Sequence, residues 1–219
     1  MNTDVCIIGA GIAGLTAAQI LEKHRINYCI LEQQELPGGR VQTDHFGGFL
    51  CDRGFQVLLP AYPSAKKYLD YKKLNLKSYP KGAVVITDKT EWFGIPFFYE
   101  KTYQLGTKLS VEFKDYINLF IDSLKGMGVN TQLIEEKTKE YINKRYSKEL
   151  NEKFLSPFFS GVFIDQECTS SISLFRYYLK LFSVGGAAIP KKGMGEIPRQ
   201  LVSNLNSGVI HYSSKVEYI

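Results

Sequence analysis

The sequence predicts an α/β fold in which a parallel βαβ unit at the N-terminus is followed by a mostly helical insertion. The apolar run Asp4 to Ile8 leads directly into glycines, as a buried parallel strand does when it enters a tight turn. Small and apolar residues then recur at helical spacing from Ile12 to Lys23. A second apolar run, Tyr28 to Leu31, follows a turn at Asn27. Because βαβ crossovers are right-handed, the two strands should lie parallel in one sheet.

Composition indicates a folded chain with its own core. The 219 residues are 44% hydrophobic, 22% charged and 13% aromatic, which is far from the composition of disordered proteins. No apolar run approaches the roughly 20 residues of a membrane-spanning helix. No basic leader precedes the first apolar run, so we expect a cytoplasmic protein. The net charge of +5 is spread along the chain in lysine doublets, and we expect no nucleic-acid partner.

Cysteine and histidine spacing predicts neither disulfides nor a metal site. The cysteines stand far apart without a CxxC pair, so we interpret them as reduced packing residues. The histidines are isolated from other metal-ligating side chains, so we predict no bound metal. These residues are Cys6, Cys29, Cys51, Cys168, His24, His45 and His211.

The rest of the chain alternates short strands with amphipathic helices. Two hairpins are predicted, at residues 40–51 and 83–95, and they turn through His45-Phe46-Gly47-Gly48 and around Asp88-Lys89 respectively. Spacings of four, three and four predict an amphipathic helix carrying Phe113, Ile117, Phe120 and Leu124. Further helices are predicted at 62–74, 131–146, 169–182 (with N-cap oxygens at 169–171) and 196–205, and further strands at 209–212 and 216–219.

The first glycine turn has the features of a Rossmann-like dinucleotide site. It reads GxGxxG between a predicted strand and a predicted helix: Gly9 allows the tight turn, Gly11 a close approach to a diphosphate, and Gly14 close helix–strand packing. Glu32 ends the second strand, where a carboxylate accepts hydrogen bonds from ribose hydroxyls. The alternative is a glycine-rich turn in an ordinary α/β fold. The predicted site residues here are Gly9, Ala10, Gly11, Ile12, Ala13, Gly14 and Glu32.

A second glycine turn, Pro37-Gly38-Gly39-Arg40, extends the motif. With it, the run Cys6 to Thr43 resembles the flavoprotein superfamily of amine oxidases, protoporphyrinogen oxidases and phytoene desaturases, in which this segment binds FAD. Two glycines admit a close backbone approach, and Arg40 brings donors that neutralise a phosphate. The sequence departs from the family at Gln34, where many amine oxidases carry a basic residue.

The resemblance implies further FAD contacts. It adds Gln33, next to Glu32, and it implies that Gly38, Gly39 and Arg40 lie along the diphosphate and ribityl chain. The segment Cys51 to Val57 resembles the family's DxG segment near the flavin ring, which implies contacts from Gly54, Phe55 and Gln56. The alternative there is a hairpin edge with a solvated Asp52 and Arg53. The segment Pro190 to Leu201 resembles the family's return from the substrate domain, and Val216 resembles the valine whose backbone contacts adenine.

The resemblance also implies a domain plan and a function. Residues 1–58 would form the first segment of the FAD-binding domain, 59–188 a substrate-binding insertion, and 189–219 the return. Since an edge strand at 216–219 would stay unpaired, we expect that the C-terminal part of the fold is missing. The expected activity is FAD-dependent oxidation of an apolar small molecule, with hydride transfer to flavin N5, and no catalytic side chain is predicted. The alternatives are an NAD-dependent dehydrogenase and a non-catalytic dinucleotide-binding fragment.

The central third of the chain is rich in aromatic residues, which have two interpretations. They fit an apolar substrate cavity with peripheral membrane contact, or, more simply, a plain core. Among them are Trp92, Phe93, Phe97, Phe98, Tyr99, Phe158, Phe159, Phe163, Phe175 and Tyr178. Oligomeric state is left open by the sequence.

Overall fold

The computed structural model describes residues 3–54, 56–80, 82–94, 107–126 and 136–218. The chain divides into two compact units, one formed by Met1–Ser78 with Ala187–Ile219 and the other by Tyr79–Gly186. The elements, in order, are β1 (Val5–Ile8), α1 (Ile12–Lys23), β2 (Tyr28–Leu31), β3 (Thr43–Phe46), β4 (Phe49–Asp52), α2 (Pro63–Tyr68), α3 (Tyr71–Leu74), β5 (Leu76–Ser78), β6 (Ala83–Ile86), β7 (Thr90–Phe93), β8 (Thr107–Lys108), α4 (Phe113–Lys125), α5 (Thr138–Arg145), α6 (Lys148–Leu150), a π-helix (Asn151–Leu155), α7 (Ser156–Phe163), α8 (Ile172–Gly185), β9 (Ala188–Pro190), α9 (Glu196–Ser203) and β10 (Ile210–His211).

The first unit is built on the predicted βαβ arrangement. Strands β1 and β2 pair in parallel with Val5 opposite Tyr28, and β10 pairs in parallel with the other edge of β2. The core lies between this sheet and helices α1 and α9, where Leu15, Ile30 and Leu201 are fully buried. This sheet, packed against α1 and α9, confirms the predicted α/β fold. The apolar face of α1 needs such a sheet to cover it. The second unit, Tyr79–Gly186, begins about twenty residues after the insertion boundary suggested above at residue 59.

The described residues of the predicted strand at 216–219 do not form a strand. Residues 215–218 have no regular secondary structure, and Ile219 lies outside the described part. Ser213 adopts a positive φ of 53°, and the backbone N–H groups of Ser213 and Ser214 donate to the carbonyls of Gln34 and Glu32. These bonds tie the segment to the loop after β2, so the unpaired edge strand that we expected here is absent.

Two other expectations differ in detail because of turn chemistry. The first hairpin turns tightly through Gly47 and Gly48, both with positive φ, which moves its strands to 43–46 and 49–52. The helix expected over residues 62–74 is broken into α2 and α3, because the Asp70 carboxylate caps α3 by accepting from the N–H groups of Lys72 and Lys73.

The packing role predicted for the cysteines holds for only two of them. Cys29 and Cys168 are buried, whereas Cys6 and Cys51 are exposed, and all four are free thiols. Cys6 lies on an outer strand of the β1–β2–β10 sheet, and Cys51 lies on a hairpin whose Phe46 and Phe49 are exposed as well. An apolar run therefore does not ensure burial on an outer strand.

The second unit has an aromatic core. Phe159 and Phe175 are buried with their ring centroids 4.7 Å apart, and Phe158 stacks on Phe154. This packing agrees with the simpler interpretation of the aromatic residues as core. Phe97, Phe98, Tyr99 and the predicted helical residues 131–135 lie outside the described part of the chain. No helix of the described residues is long and apolar enough to cross a bilayer.

Asp165, not the serines and threonine after it, organises the start of α8. Its carboxylate accepts hydrogen bonds from Thr169 and from the backbone N–H groups of Glu167 and Ser170. Ser171 is the N-cap residue of α8 but its side chain makes no capping bond, so the predicted capping oxygens are wrong. The Asp165 carboxylate therefore shapes the loop that leads into α8.

Asp165 should make the protein less stable in acid. The hydrogen bond from the Thr169 hydroxyl, helped by those from the backbone, lowers the pKa of Asp165. Because the folded pKa lies below the unfolded value near 3.9, the stabilisation is present above about pH 4 and is lost as the pH falls through the folded pKa. We expect Asp165→Asn to flatten the dependence of unfolding on pH between about 2 and 5. Denaturant midpoints measured across that pH range give this dependence. Thr169→Ala should change the pH dependence of unfolding in the same direction as Asp165→Asn. Variants with the same pH dependence as the wild type would contradict a lowered pKa of Asp165.

Candidate functional site

A cleft of about 320 Å³ lies at the carboxyl ends of β1 and β2. This edge of a parallel sheet is where α/β proteins bind ligands. The cleft is lined by both glycine turns, the end of β2 and the C-terminal segment, through Ile8, Gly9, Gly11, Leu31, Glu32, Gln33, Gln34, Gly39, Ser214 and Val216. The turns after the first and second strands therefore face one common space.

The first glycine turn presents the start of α1 to this cleft. Gly9 has a φ of 93°, which only glycine adopts easily, and its N–H donates to the Leu31 carbonyl. Gly11 is the N-cap residue of α1, with no side chain capping the helix and no acidic residue in its first turn. The free N–H groups and the positive end of the helix dipole therefore favour an anion such as a diphosphate.

Glu32 is a buried carboxylate that lines the cleft beside the first glycine turn. Its side chain is held in place by the backbone, because one oxygen accepts from the Ala10 N–H at 2.6 Å and the other from the Gln34 N–H at 2.9 Å. The residue is only 5% exposed, and it is one of the residues that line the cleft. A carboxylate oxygen accepts more than one hydrogen bond, so both oxygens retain capacity for ribose hydroxyls.

The second glycine turn packs directly against the first. Gly38 forms a parallel bridge with Gly11, and its N–H donates to the Ala10 carbonyl at 2.8 Å. Gly39 lies so close that a Cβ there would be 3.6 Å from the Gly11 Cα. A Cβ on Gly11, in contrast, would enter open space. The two turns form a backbone-lined cradle that fits a diphosphate with a ribose beside it.

Some residues of the cleft carry no sequence motif. Ser214 lines the cleft and donates its N–H to the Glu32 carbonyl at 2.8 Å, which brings Val216 to the same wall. Gln34 accepts a hydrogen bond from Gln42 at 2.7 Å. A serine three residues after the short strand β10 gives no signal in the sequence, since only the tertiary pairing of β10 with β2 brings it here.

The segment with Asp52 is structured rather than solvated. The Asp52 carboxylate accepts from the Thr43 hydroxyl and from the Met194 N–H, and Thr43 in turn accepts from the Gly195 N–H. These bonds join the β3–β4 hairpin to the start of α9. Arg53, the other residue of that alternative, does lie at the surface, in an ion pair with Asp44.

The structure brings only some of the predicted site residues together at the cleft. Six of the fifteen line the cleft: Gly9, Gly11, Glu32, Gln33, Gly39 and Val216. Gly38 is hydrogen-bonded to Ala10 and Gly14 lies against Gly9, so these residues hold the turns together without lining the cleft. The other predicted residues that do not line this cleft are Ile12, Ala13, Arg40, Gly54 and Gln56. Phe55 lies outside the described residues. Their contacts with a cofactor remain predictions.

Two glycines of the first turn should respond differently to alanine. A Cβ on Gly14 would overlap the Gly9 carbonyl oxygen, so we expect Gly14→Ala to destabilise the chain by roughly 1–3 kcal/mol. Gly11→Ala should leave the fold intact but block the cradle. The matched control is Gly161→Ala in α7, where the added methyl meets nothing. Denaturant unfolding measures the difference, and equal stability of the Gly14 and Gly161 variants would contradict the close-packing role.

Comparison with known proteins identifies the family of the chain. Residues 12–219 match the model of the flavin containing amine oxidoreductase family. Protoporphyrinogen oxidase 1, chloroplastic, of Arabidopsis thaliana is 27% identical over 210 residues, which are 86% of this chain and 36% of that protein. The flavin-containing amine oxidase A of Bos taurus is 50% identical over 40 residues, which are 18% of this chain and 8% of that protein.

Solved structures show the same fold. Cyclohexylamine oxidase from Brevibacterium oxydans IH-35A superposes with a TM-score of 0.64 at 14% identity, over 97% of this chain and 51% of that one. The chain thus spans about half the length of this solved relative and about a third of the Arabidopsis protoporphyrinogen oxidase. The family's members are FAD-binding flavoproteins, which agrees with the cofactor expected from the two glycine turns. With its family model matched from the first helix to the C-terminus, the chain belongs to the flavin containing amine oxidoreductases.

Proposed function

We propose that this chain holds the adenosine diphosphate part of FAD in the cleft between its two glycine turns, as part of an FAD-dependent oxidoreductase. The observation that carries the proposal is the meeting of Gly11, Gly39 and the buried Glu32 around one space. Family membership supports a flavin cofactor. A dehydrogenase that uses NAD would need Glu32 and the first glycine turn but not the second. The match to the flavin containing amine oxidoreductase family does not favour this alternative.

Each wall of the cleft has a separate role in this proposal. The N–H groups at the start of α1 would bind the diphosphate, and the Glu32 carboxylate would accept from the ribose hydroxyls. The backbone around Val216 and Ser214 would border the adenine. Bound flavin would supply a hydride acceptor at N5 for an apolar organic substrate.

The substrate class is the least constrained part of the proposal. The named relatives act, by their printed names, on protoporphyrinogen and on amines such as cyclohexylamine. The described aromatic residues of the second unit pack against one another, so they support a core more directly than a substrate cavity. We therefore propose an apolar small molecule as substrate and assign no catalytic side chain.

Titration with three cofactors tests the proposal. We expect FAD to bind and ADP-ribose to compete with it, since both carry the adenosine diphosphate group, whereas FMN should not bind. A visible spectrum and quenching of flavin fluorescence measure binding to the purified chain. Binding of NAD without binding of FAD would overturn the assignment in favour of a nicotinamide enzyme, and failure of both would leave a non-catalytic α/β protein.

A further inference from the structure

Two cysteines of the first unit lie side by side in its parallel sheet. Cys6 of β1 is directly opposite Cys29 of β2 in the register of the two strands. Neighbouring strands are about 4.7–4.9 Å apart, and the Cα atoms of a disulfide are usually about 4.4–6.8 Å apart. The strand pairing therefore holds both backbones at a separation that a disulfide can span.

Both cysteine side chains lie on the same face of the sheet. Ile7 and Ile30, the next residues along the two strands, pack into the core on the helix side. Because successive side chains of a strand alternate between the two faces, Cys6 and Cys29 both point to the other face. The Cys29 Sγ also lies toward β1, since the Thr3 Oγ1 just before that strand is 4.0 Å from it. The two thiols are thus neighbours across one strand boundary.

The two thiols differ in their access to solvent. Cys6 is exposed, whereas Cys29, on the middle strand, is buried and 7% exposed. A hydrogen bond with the Cys29 side chain raises the pKa of Cys6, so Cys6 stays mostly protonated at neutral pH and reacts slowly there. An accessible thiol beside a second thiol is the arrangement in which an oxidant attacks one sulfur and the other sulfur resolves the product.

We propose that Cys6 and Cys29 form a reversible disulfide when the chain is exposed to a peroxide. The bond would join β1 to β2 three residues before Gly9 and Glu32, the residues at which the two strands reach the cofactor cleft. The proposal rests on the strand register and the orientation of the side chains. It does not depend on which cofactor the cleft binds.

The reaction balances with hydrogen peroxide as the oxidant. The Cys6 thiolate attacks one peroxide oxygen, the O–O bond breaks, and the departing hydroxide takes up the thiol proton and leaves as water. The Cys29 Sγ then attacks the sulfur of the Cys6 sulfenic acid, whose S–O bond breaks, and the Cys29 proton leaves with the hydroxyl group as a second water. The two sulfurs lose two electrons, and these reduce the peroxide to water.

The position of the bond predicts both its effect and its reversibility. The chain between the two cysteines contains the first glycine turn and all of α1, so the bond would remove conformations of this whole segment from the unfolded state. The Cβ atoms must approach to about 3.8 Å, closer than the spacing of the strands. A disulfide under such strain is readily reduced by thiols.

Peptide mapping of the full chain after treatment with hydrogen peroxide at about pH 8.5 tests bond formation. We expect a cross-linked pair of tryptic peptides containing Cys6 and Cys29, a fall from four free thiols to two, and recovery of both thiols in dithiothreitol. Cys29→Ser should instead accumulate a sulfenic acid on Cys6 that dimedone traps. The matched control is Cys51→Ser, an exposed cysteine opposite Asp44, which should form the same cross-link. Cross-links through Cys51 or between copies in place of this pair, or as much dimedone adduct in the wild type as in Cys29→Ser, would overturn the proposal.

Urea unfolding tests whether the bond stabilises the βαβ segment. The oxidised wild type should unfold at a urea concentration higher than that of the reduced protein by on the order of 1 M. Dithiothreitol should reverse the shift. Cys6→Ser and Cys29→Ser should unfold at the same urea concentration with and without peroxide. A cross-linked wild type whose midpoint equals that of the reduced protein would overturn the stabilising role.

Discussion

Glu32→Gln should weaken FAD binding about 30- to 150-fold, which corresponds to about 2–3 kcal/mol. The carboxylate accepts from two backbone N–H groups already, those of Ala10 and Gln34. A glutamine would have to turn its NH₂ toward one of them, so a donor would face a donor in a buried site. The ribose would lose a charged acceptor at the same time. Fluorescence titration with FAD measures the loss.

Glu35→Gln is the matched control for this result. Glu35 is three residues further along and exposed, so the variant makes the same change of net charge outside the cleft. It should bind FAD like the wild type, and both variants should show similar far-UV circular dichroism. If the two variants lost affinity equally, the effect would be one of overall charge and Glu32 would not contact the nucleotide.

Asp122→Asn should cost about 3–5 kcal/mol of unfolding free energy, the largest effect on stability expected here. The Asp122 carboxylate accepts from the Arg176 guanidinium at 3.0 Å and from the hydroxyls of Tyr141 and Tyr146, and it forms an ion pair with Arg145 at 3.2 Å. Burial, then the charge of Asp122, raises the pKa of Tyr146, so its hydroxyl remains a donor. Asparagine would leave two arginines without a buried counter-charge.

An exposed ion pair of the same unit provides the comparison. Lys139 and Glu167 form an ion pair with side chains that are 51% and 72% exposed. Because solvent screens such a pair, Glu167→Gln should change the unfolding free energy by about 0–1 kcal/mol. Urea denaturation of both variants measures the contrast. A cost for Asp122→Asn as small as that of Glu167→Gln would show that the buried network contributes no net stability.

Much of the first unit could be predicted because its signals are local. A short apolar strand, a glycine turn and a helix with small residues facing the sheet specify one another through neighbouring positions. The same holds for Gly14, whose missing side chain is required by the backbone of Gly9 only five residues away. Such requirements are visible in sequence because the contacting residues keep a fixed spacing.

The remaining parts of the site could not be predicted because they depend on long-range contacts. Asp52 reads as a solvated hairpin residue until the backbone of Met194 is brought to it. Ser214 becomes part of the cleft only through its bond to the Glu32 backbone, which replaces the edge strand that the apolar pattern at 216–219 predicts. Hydrogen bonds across such distances follow no periodicity.

Helix α4 shows most clearly how sequence and tertiary structure divide the outcome. The amino-acid sequence alone determined that α4 is a helix with one apolar face, as it determined the two glycine turns and the acid that follows β2. Only the tertiary structure decided which face is buried: Arg145 and Arg176 reach Asp122 from other helices, and a buried carboxylate must keep its partners. Periodicity encodes the direction of a side chain around its own helix axis, whereas its environment depends on residues that are distant in the chain.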